Sequence, residues 1–275
     1  MSSKGNNGNI DFTIYREYIH DIPPPINSNI YKLKYIKHVD FILSFATEVY
    51  VHGKGTGNFF PTWNLDVFDI EWVKKVKETI PHARVIISIG GVGSEFPFNP
   101  IDKHIWIYRA IESIKWIVRD LYHNLIDGID IHYDVIKSSE DEFSFSIGEV
   151  IRKLKYEIDL SINVVSIAPN ERFQSYYLNL YLQNKDIIDL VDFEFYNLKP
   201  RTLEQLLELY KKLVHEYSLT IVLPIISSHP EHIIIEFIRY LLKSKLLHGI
   251  VVWDDNNSTD GSTNSFSLEN VLQDI

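Results

Sequence analysis

Cysteine is absent from this 275-residue chain, and the only methionine is Met1. Disulfides, thiolate nucleophiles, cysteine-bound metals and thiol switches are thereby excluded. Long hydrophobic runs are missing as well, since no apolar stretch approaches the ~20 residues that cross a bilayer. The first nine residues, Met1 to Asn9, have none of the apolar core that a secretory leader requires. Read as a whole gene product, the chain is expected in the cytoplasm, with residues 1–9 disordered. A basic excess is also lacking: Lys and Arg number 27 against 37 Asp and Glu, for a formal net charge of -10 and a pI near 5.5. Neither nucleic acid nor an anionic membrane surface is the expected partner.

What is present is a hydrophobic fraction of 45%, enough for a large core, over a length that suits one barrel-sized domain. Short apolar runs alternate with helical patterns from end to end. The candidate strands are 12–18, 39–46, 84–91, 127–134, 160–168, 191–197, 220–227 and 249–254. Between them, Ile107, Ile111, Ile114, Val118 and Leu121 form one stripe at helical spacing, and Leu203, Leu206, Leu207, Tyr210 and Leu213 another. The second stripe opens with Thr202 and Gln205 in capping-box spacing after Pro200. Further helices are expected over 69–79, 140–158, 174–186, 231–243 and 267–274. Eight strand-then-helix units predict an α/β fold, a single (β/α)8 TIM barrel over residues 10–275, expected to be a monomer, with its site at the carboxyl ends of the strands.

Two strands carry polar residues where a core would be expected. In the fourth, Asp130, His132 and Asp134 share one face and Ile129, Ile131 and Tyr133 the other. In the sixth, Asp192, Glu194 and Tyr196 oppose Val191, Phe193 and Phe195. Buried charge is costly unless paired, so the polar faces are expected to line the barrel interior and mouth while the apolar faces meet the helices. Arg16 and Glu17, near the end of the first strand, are expected to add charge there, and Trp253, ending the eighth, to offer a flat platform or a piece of core. Asp127 and Gly128 are expected to shape the start of the fourth strand.

Taken together these segments resemble family 18 glycoside hydrolases, the chitinase-like barrels, over essentially the whole chain. Ser88-Ile89-Gly90-Gly91 matches the family's Ser-x-Gly-Gly, and 127–134 its Asp-x-x-Asp-x-Asp-x-Glu. Glu194-Phe195-Tyr196-Asn197 resembles the Gln-Phe-Tyr-Asn of plant class III chitinases, and Trp253 the strand-eight tryptophan. The resemblance implies that Ser88, Glu194, Tyr196, Asn197 and Trp253 border a ligand. Within the family, the Asp-Gly-Ile-Asp-Ile-His-Tyr and Arg16-Glu17-Tyr18 segments look most like narbonin and related legume seed or nodule proteins, and narbonin is a barrel of this type with no known glycosidase activity.

The reaction that the resemblance implies is substrate-assisted. The sugar's N-acetyl oxygen attacks the anomeric carbon, the motif's last glutamate protonates the leaving oxygen, and the preceding aspartate steadies the cationic intermediate. Here those positions hold Asp134 and His132. Asp134 is one methylene short, and a displacement near 1 Å costs on the order of a hundredfold. His132 brings no anion to the developing cation. Asp130, His132 and Asp134 therefore read as a degenerate catalytic group, with His132 expected to bond Asp130 or Asp134. Three readings follow: a chitinase-like barrel without effective glycosidase activity, with a seed-storage or nodule role; a protein that binds N-acetylglucosamine oligomers or another glycan without cleaving them; and a residual hydrolase using Asp134.

Other motifs are thin. His229-Pro230-Glu231-His232 has no third ligand nearby and reads as a helix cap, so no metal and no cofactor is assigned. Gly53-Lys54-Gly55-Thr56-Gly57 lacks phosphate-loop spacing and is expected as a flexible loop. Asn256 and Asn257 begin glycosylation sequons in an expected surface loop, 256–265, and Pro23-Pro24-Pro25 marks another loop.

Overall fold

The structure, a computed structural model, describes residues 11–80, 82–199 and 201–253. The disorder expected for residues 1–9, the last strand's end at Asp254, the loop 256–265 with its sequons and the helix 267–274 lie outside the described residues. Strand β1 (Ile14–Ile19) leads to a single 3-10 turn, Ile30–Lys32, and then to β2 (His38–Val51) and β3 (Lys54–Pro61). There follow α1 (Ile70–Thr79), β4 (Ala83–Gly91), α2 (Lys103–Lys115) with a π-helical turn at Trp116–Leu121, β5 (Gly128–Tyr133) and α3 (Glu140–Lys155). Next come β6 (Val164–Ile167), α4 (Gln174–Gln183), β7 (Leu190–Glu194), α5 (Leu203–Glu216), β8 (Val222–Ser227), α6 (His232–Lys243) and β9 (Gly249–Trp253).

Apart from the β2–β3 pair, every strand pairing is parallel, and β1 pairs with both β2 and β9. The sheet therefore closes into the eight-stranded barrel of a single (β/α)8 fold. Strand β3 lies outside it, antiparallel on β2. The glycine-rich 53–57 segment is thus a hairpin arm and not a flexible loop. His52 (φ 50°) and Gly53 (φ 71°) both hold positive φ, as a two-residue type I′ hairpin turn demands, and Val51 pairs with Lys54 across it.

Local chemistry marks the helix starts. The Asp69, Asp102 and Ser139 side chains accept from backbone N–H groups in the first turns of α1, α2 and α3, and the Thr202–Gln205 capping box closes on α5. The amino ends of the strands carry a repeated device. Asp127 takes the Val85 N–H at 2.8 Å and Lys77 Nζ at 2.6 Å, and Asp189 takes the Val165 N–H at 2.8 Å and Lys155 Nζ at 2.6 Å. Each aspartate ties its own strand start to the preceding strand and to a helix end.

Alternation then sorts the apolar side chains. Ile129, Ile131, Tyr133, Val191, Phe193 and Phe195 join the core between barrel and helices. Each large apolar side chain buried there contributes roughly 1.5–3 kcal/mol. A smaller cluster, including Ile14, Ile42, Ile86, Leu223, Ile225 and Val251, fills the barrel interior. The fifth expected strand shortens to Val164–Ile167, and the sixth ends at Glu194 because the Phe195 and Tyr196 N–H groups both turn to the Ile225 carbonyl. Among the described residues no helix is long and apolar enough to cross a membrane.

Candidate functional site

The inward set of side chains is polar along much of the barrel. Arg16 and Tyr18 from β1, Asp40 from β2, Ser88 from β4, Asp130 and His132 from β5, Ser166 from β6, and Asp192 and Glu194 from β7 are all buried. Their hydrogen bonds run as a continuous ladder from the interior to the mouth.

At its base Arg16 pairs with Asp192, sets Nε 2.9 Å from Asp40 and donates to Ser166 at 3.1 Å. Arg84 closes on Asp40 from the other side with bonds of 2.7 and 2.8 Å. Burial alone would lower the Arg16 guanidinium; Asp192 and Asp40 outweigh it and hold the group above its ordinary value. Burial also raises the Asp192 carboxyl, against the pull of Arg16. Glu17, expected beside Arg16, points the opposite way and accepts from Tyr31 at 2.7 Å and Tyr15 at 3.1 Å, as alternation along β1 requires.

Asp130 is the middle rung. It accepts from Ser88 and Ser166, each at 2.7 Å, and from Tyr18 at 2.9 Å. Ser88 is thereby engaged within the barrel wall.

His132 is the upper rung, and its partners are not Asp130. Nδ1 lies 3.3 Å from the Tyr18 hydroxyl, and Nε2 lies 3.1 Å from Glu194 Oε1 and 3.4 Å from Asp134 Oδ1. Since the Tyr18 proton goes to Asp130, its oxygen accepts from Nδ1–H, and Nε2 faces the two carboxylates. Desolvation alone would lower the imidazole, yet the bonds to Asp134 and Glu194 prevail and push it up to about 10. Burial raises Glu194, with His132 opposing. Burial also raises Asp134, but His132 and the Gly93 N–H, at 2.7 Å, leave its carboxyl below the usual carboxylate range.

The approach of β4 to this rung depends on glycine. Gly90 has φ +119°, and a Cβ there would stand 2.1 Å from the His132 carbonyl oxygen.

Aromatic rings close over His132. Trp253 stacks on Tyr196 with centroids 5.7 Å apart and planes 5° from parallel. Tyr18 lies 5.1 Å from Trp253, and Phe45 and His132 each 6.0 Å. Trp253, Tyr196 and Asp134 are partly buried, at the mouth. Asn197 is exposed in the turn beyond. A cavity of about 300 Å³ borders Tyr196, lined among others by Lys199, Arg201, Ser227 and His229.

No family model matches the chain. Chitinase 1 of Tulipa saxatilis subsp. bakeri is 31% identical over 285 residues, spanning 95% of this chain and 86% of the tulip protein. A family 18 chitinase from Crocus vernus superposes with a TM-score of 0.79 at 25% identity, over 95% of this chain and 98% of that one. The chain belongs to the family 18 glycoside hydrolases. The RuBisCO-associated protein of Glycine max is 27% identical over 192 residues, 66% of this chain and 65% of that protein.

Three participants in this family 18 barrel escaped the sequence reading: Tyr18 as the link between His132 and Asp130, Phe45 against the His132 ring at 5.3 Å, and the Gly93 N–H on Asp134. Tyr18 was reachable, because it alternates with Arg16 on one face of β1. A backbone donor such as Gly93 leaves no signal in side-chain pattern.

Proposed function

We propose that this chitinase-like barrel is a family 18 member without effective glycosidase chemistry, of the narbonin type. One observation carries the reading: the carboxyl at the acid position, Asp134, is held by His132 at 3.4 Å and the Gly93 N–H at 2.7 Å. Both contacts favour its ionised form, whereas a general acid must begin protonated. Beside it, the imidazole of His132 replaces the anion that would steady the cationic intermediate of the family's reaction. Turnover assays on chitin oligosaccharides, with Asp134→Asn as control, test the reading. No turnover by the wild type is expected. Cleavage by the wild type that Asp134→Asn abolishes overturns it.

A second reading is favoured by the partial exposure of Trp253 and Tyr196, whose near-parallel rings border the mouth. An N-acetylglucosamine oligomer held against such a surface would be bound and not cleaved. Titration with chitooligosaccharides, followed by tryptophan fluorescence, separates the two: a saturable change supports binding, and its absence removes it.

A further inference from the structure

We propose that His132, Asp134 and Glu194 form a binding site for a divalent cation of the zinc type at the mouth of the barrel. This goes beyond the reading above and does not depend on it, because cation binding is measurable whether or not the protein cleaves a glycan.

Each of the three residues offers one donor atom, and the three atoms lie within 4.8 Å of one another. His132 Nε2 stands 3.4 Å from Asp134 Oδ1 and 3.1 Å from Glu194 Oε1. Donors bound at ~2.0–2.2 Å to a tetrahedral zinc ion are about 3.3–3.6 Å apart along an edge, so these two separations need to change by only a few tenths of an ångström.

A second observation is independent of those distances. Glu194 is 1% exposed, and its Oε2 is buried without a hydrogen-bond partner; Asp134 Oδ1 is buried beside it with His132 Nε2 at 3.4 Å. Two adjacent carboxylates in a desolvated site need a shared positive charge, which the His132 imidazolium supplies without a cation and a divalent ion would supply in its place.

The outer contacts orient the histidine as a ligand. Tyr18 donates to Asp130 and therefore accepts from His132 Nδ1–H, so Nε2, which faces both carboxylates, is the ring nitrogen that would exchange its proton for a cation. A ligating imidazole whose other N–H is fixed by a polar partner is the usual arrangement around protein metals. Here that partner is a tyrosine anchored in turn to a carboxylate.

The donor set narrows the class. One imidazole nitrogen and two carboxylate oxygens suit zinc and neighbouring first-row ions, while calcium and magnesium prefer all-oxygen shells. Three protein ligands leave a coordination position open, and the 13% exposure of the Asp134 side chain puts that position next to solvent at the mouth.

The test uses the full chain with any affinity tag removed, stripped with a chelator and titrated with Zn2+ by calorimetry in two buffers of different ionisation enthalpy. Absorption of a Co2+-loaded sample reports coordination. Saturable uptake of one cation per chain is expected, with proton release because the cation displaces the proton on Nε2. Glu194→Gln preserves shape, and Asp134→Asn sits at a partly exposed position; each is expected to weaken binding at least about tenfold with the far-ultraviolet circular dichroism unchanged. His232→Gln, at an exposed pair with Glu236, is expected to leave binding as it was. The proposal is overturned if the folded protein shows no saturable binding, or if binding survives undiminished in both Glu194→Gln and Asp134→Asn. Cleavage of chitin oligosaccharides would overturn the preceding reading and leave this one standing.

Discussion

Arg16 and Asp192 form an ion pair between β1 and β7, both side chains fully buried in the barrel interior. Removing one partner from such a pair leaves the other charge desolvated and costs about 3–5 kcal/mol. Arg16→Leu is therefore expected to lower stability by that amount in urea unfolding. The double variant Arg16→Leu, Asp192→Leu is expected to recover much of it, because Asp40 keeps Arg84. A single variant as stable as the wild type would mean that the pair is not held as described.

Gly90 and Gly93 should respond differently to alanine. At Gly90 the new Cβ would meet the His132 carbonyl at 2.1 Å and the φ of +119° would be strained, so a loss on the order of 3 kcal/mol or more is expected. At Gly93 nothing lies within 4 Å of the added carbon, and the φ of +89° alone should cost about 1–2 kcal/mol. Thermal unfolding of the two variants compares them directly. Equal losses would remove the steric argument for the Ser-x-Gly-Gly segment.

The barrel was legible because its signals are local. The opposed faces of 127–134 and 191–197 follow from period-two alternation, and Asp130, His132, Asp192 and Glu194 fall inside the barrel as that alternation requires. Which inward residues touch was not legible, because register between distant strands decides it. Ser88 is level with Asp130 on β5, and the shear of the barrel sets His132 against Glu194 of β7. The same limit hid the role of Tyr18 as the link from His132 to Asp130, although simple alternation puts Tyr18 on the same face of β1 as Arg16. The β2–β3 hairpin was missed for another reason: glycines that suggest a loop also supply the positive φ of a tight turn.

Glu48 gives a pH dependence outside the site. Its carboxyl accepts from Trp106 Nε1 at 2.7 Å, while Oε1 is buried without a partner. Burial pushes the group up to about 8, only partly offset by the tryptophan bond. A carboxyl raised on folding makes the folded state hold the extra proton, so its contribution is present below the unfolded value near 4.5 and is lost as pH rises through about 8. Wild-type stability is expected to fall by a few kcal/mol over that window on account of this residue. Glu48→Gln should flatten the profile in denaturant titrations at several pH values; an unchanged slope would show that Glu48 does not carry it.

His132 and Asp134 can be returned to the residues that the family's motif holds at these positions, and the geometry orders the outcomes. Asp134→Glu alone restores reach but leaves the carboxyl beside His132, which favours its ionised form. His132→Asp alone supplies the missing anion but leaves the acid short, and it strips Glu194 of its partner at 3.1 Å. The double variant still carries Glu194 as an unpaired buried carboxylate next to two others. Adding Glu194→Gln relieves that repulsion and keeps a hydrogen-bonding side chain. Turnover of chitin oligosaccharides is therefore expected to be undetectable in the single variants, weak in the double and highest in the triple. If the triple variant folds and still does not cleave, the defect lies above the ladder, where Tyr196 stacks on Trp253 and Tyr18 and Phe45 crowd the same ring. Tyr196→Ala in the triple background would then separate a closed mouth from a wrong acid.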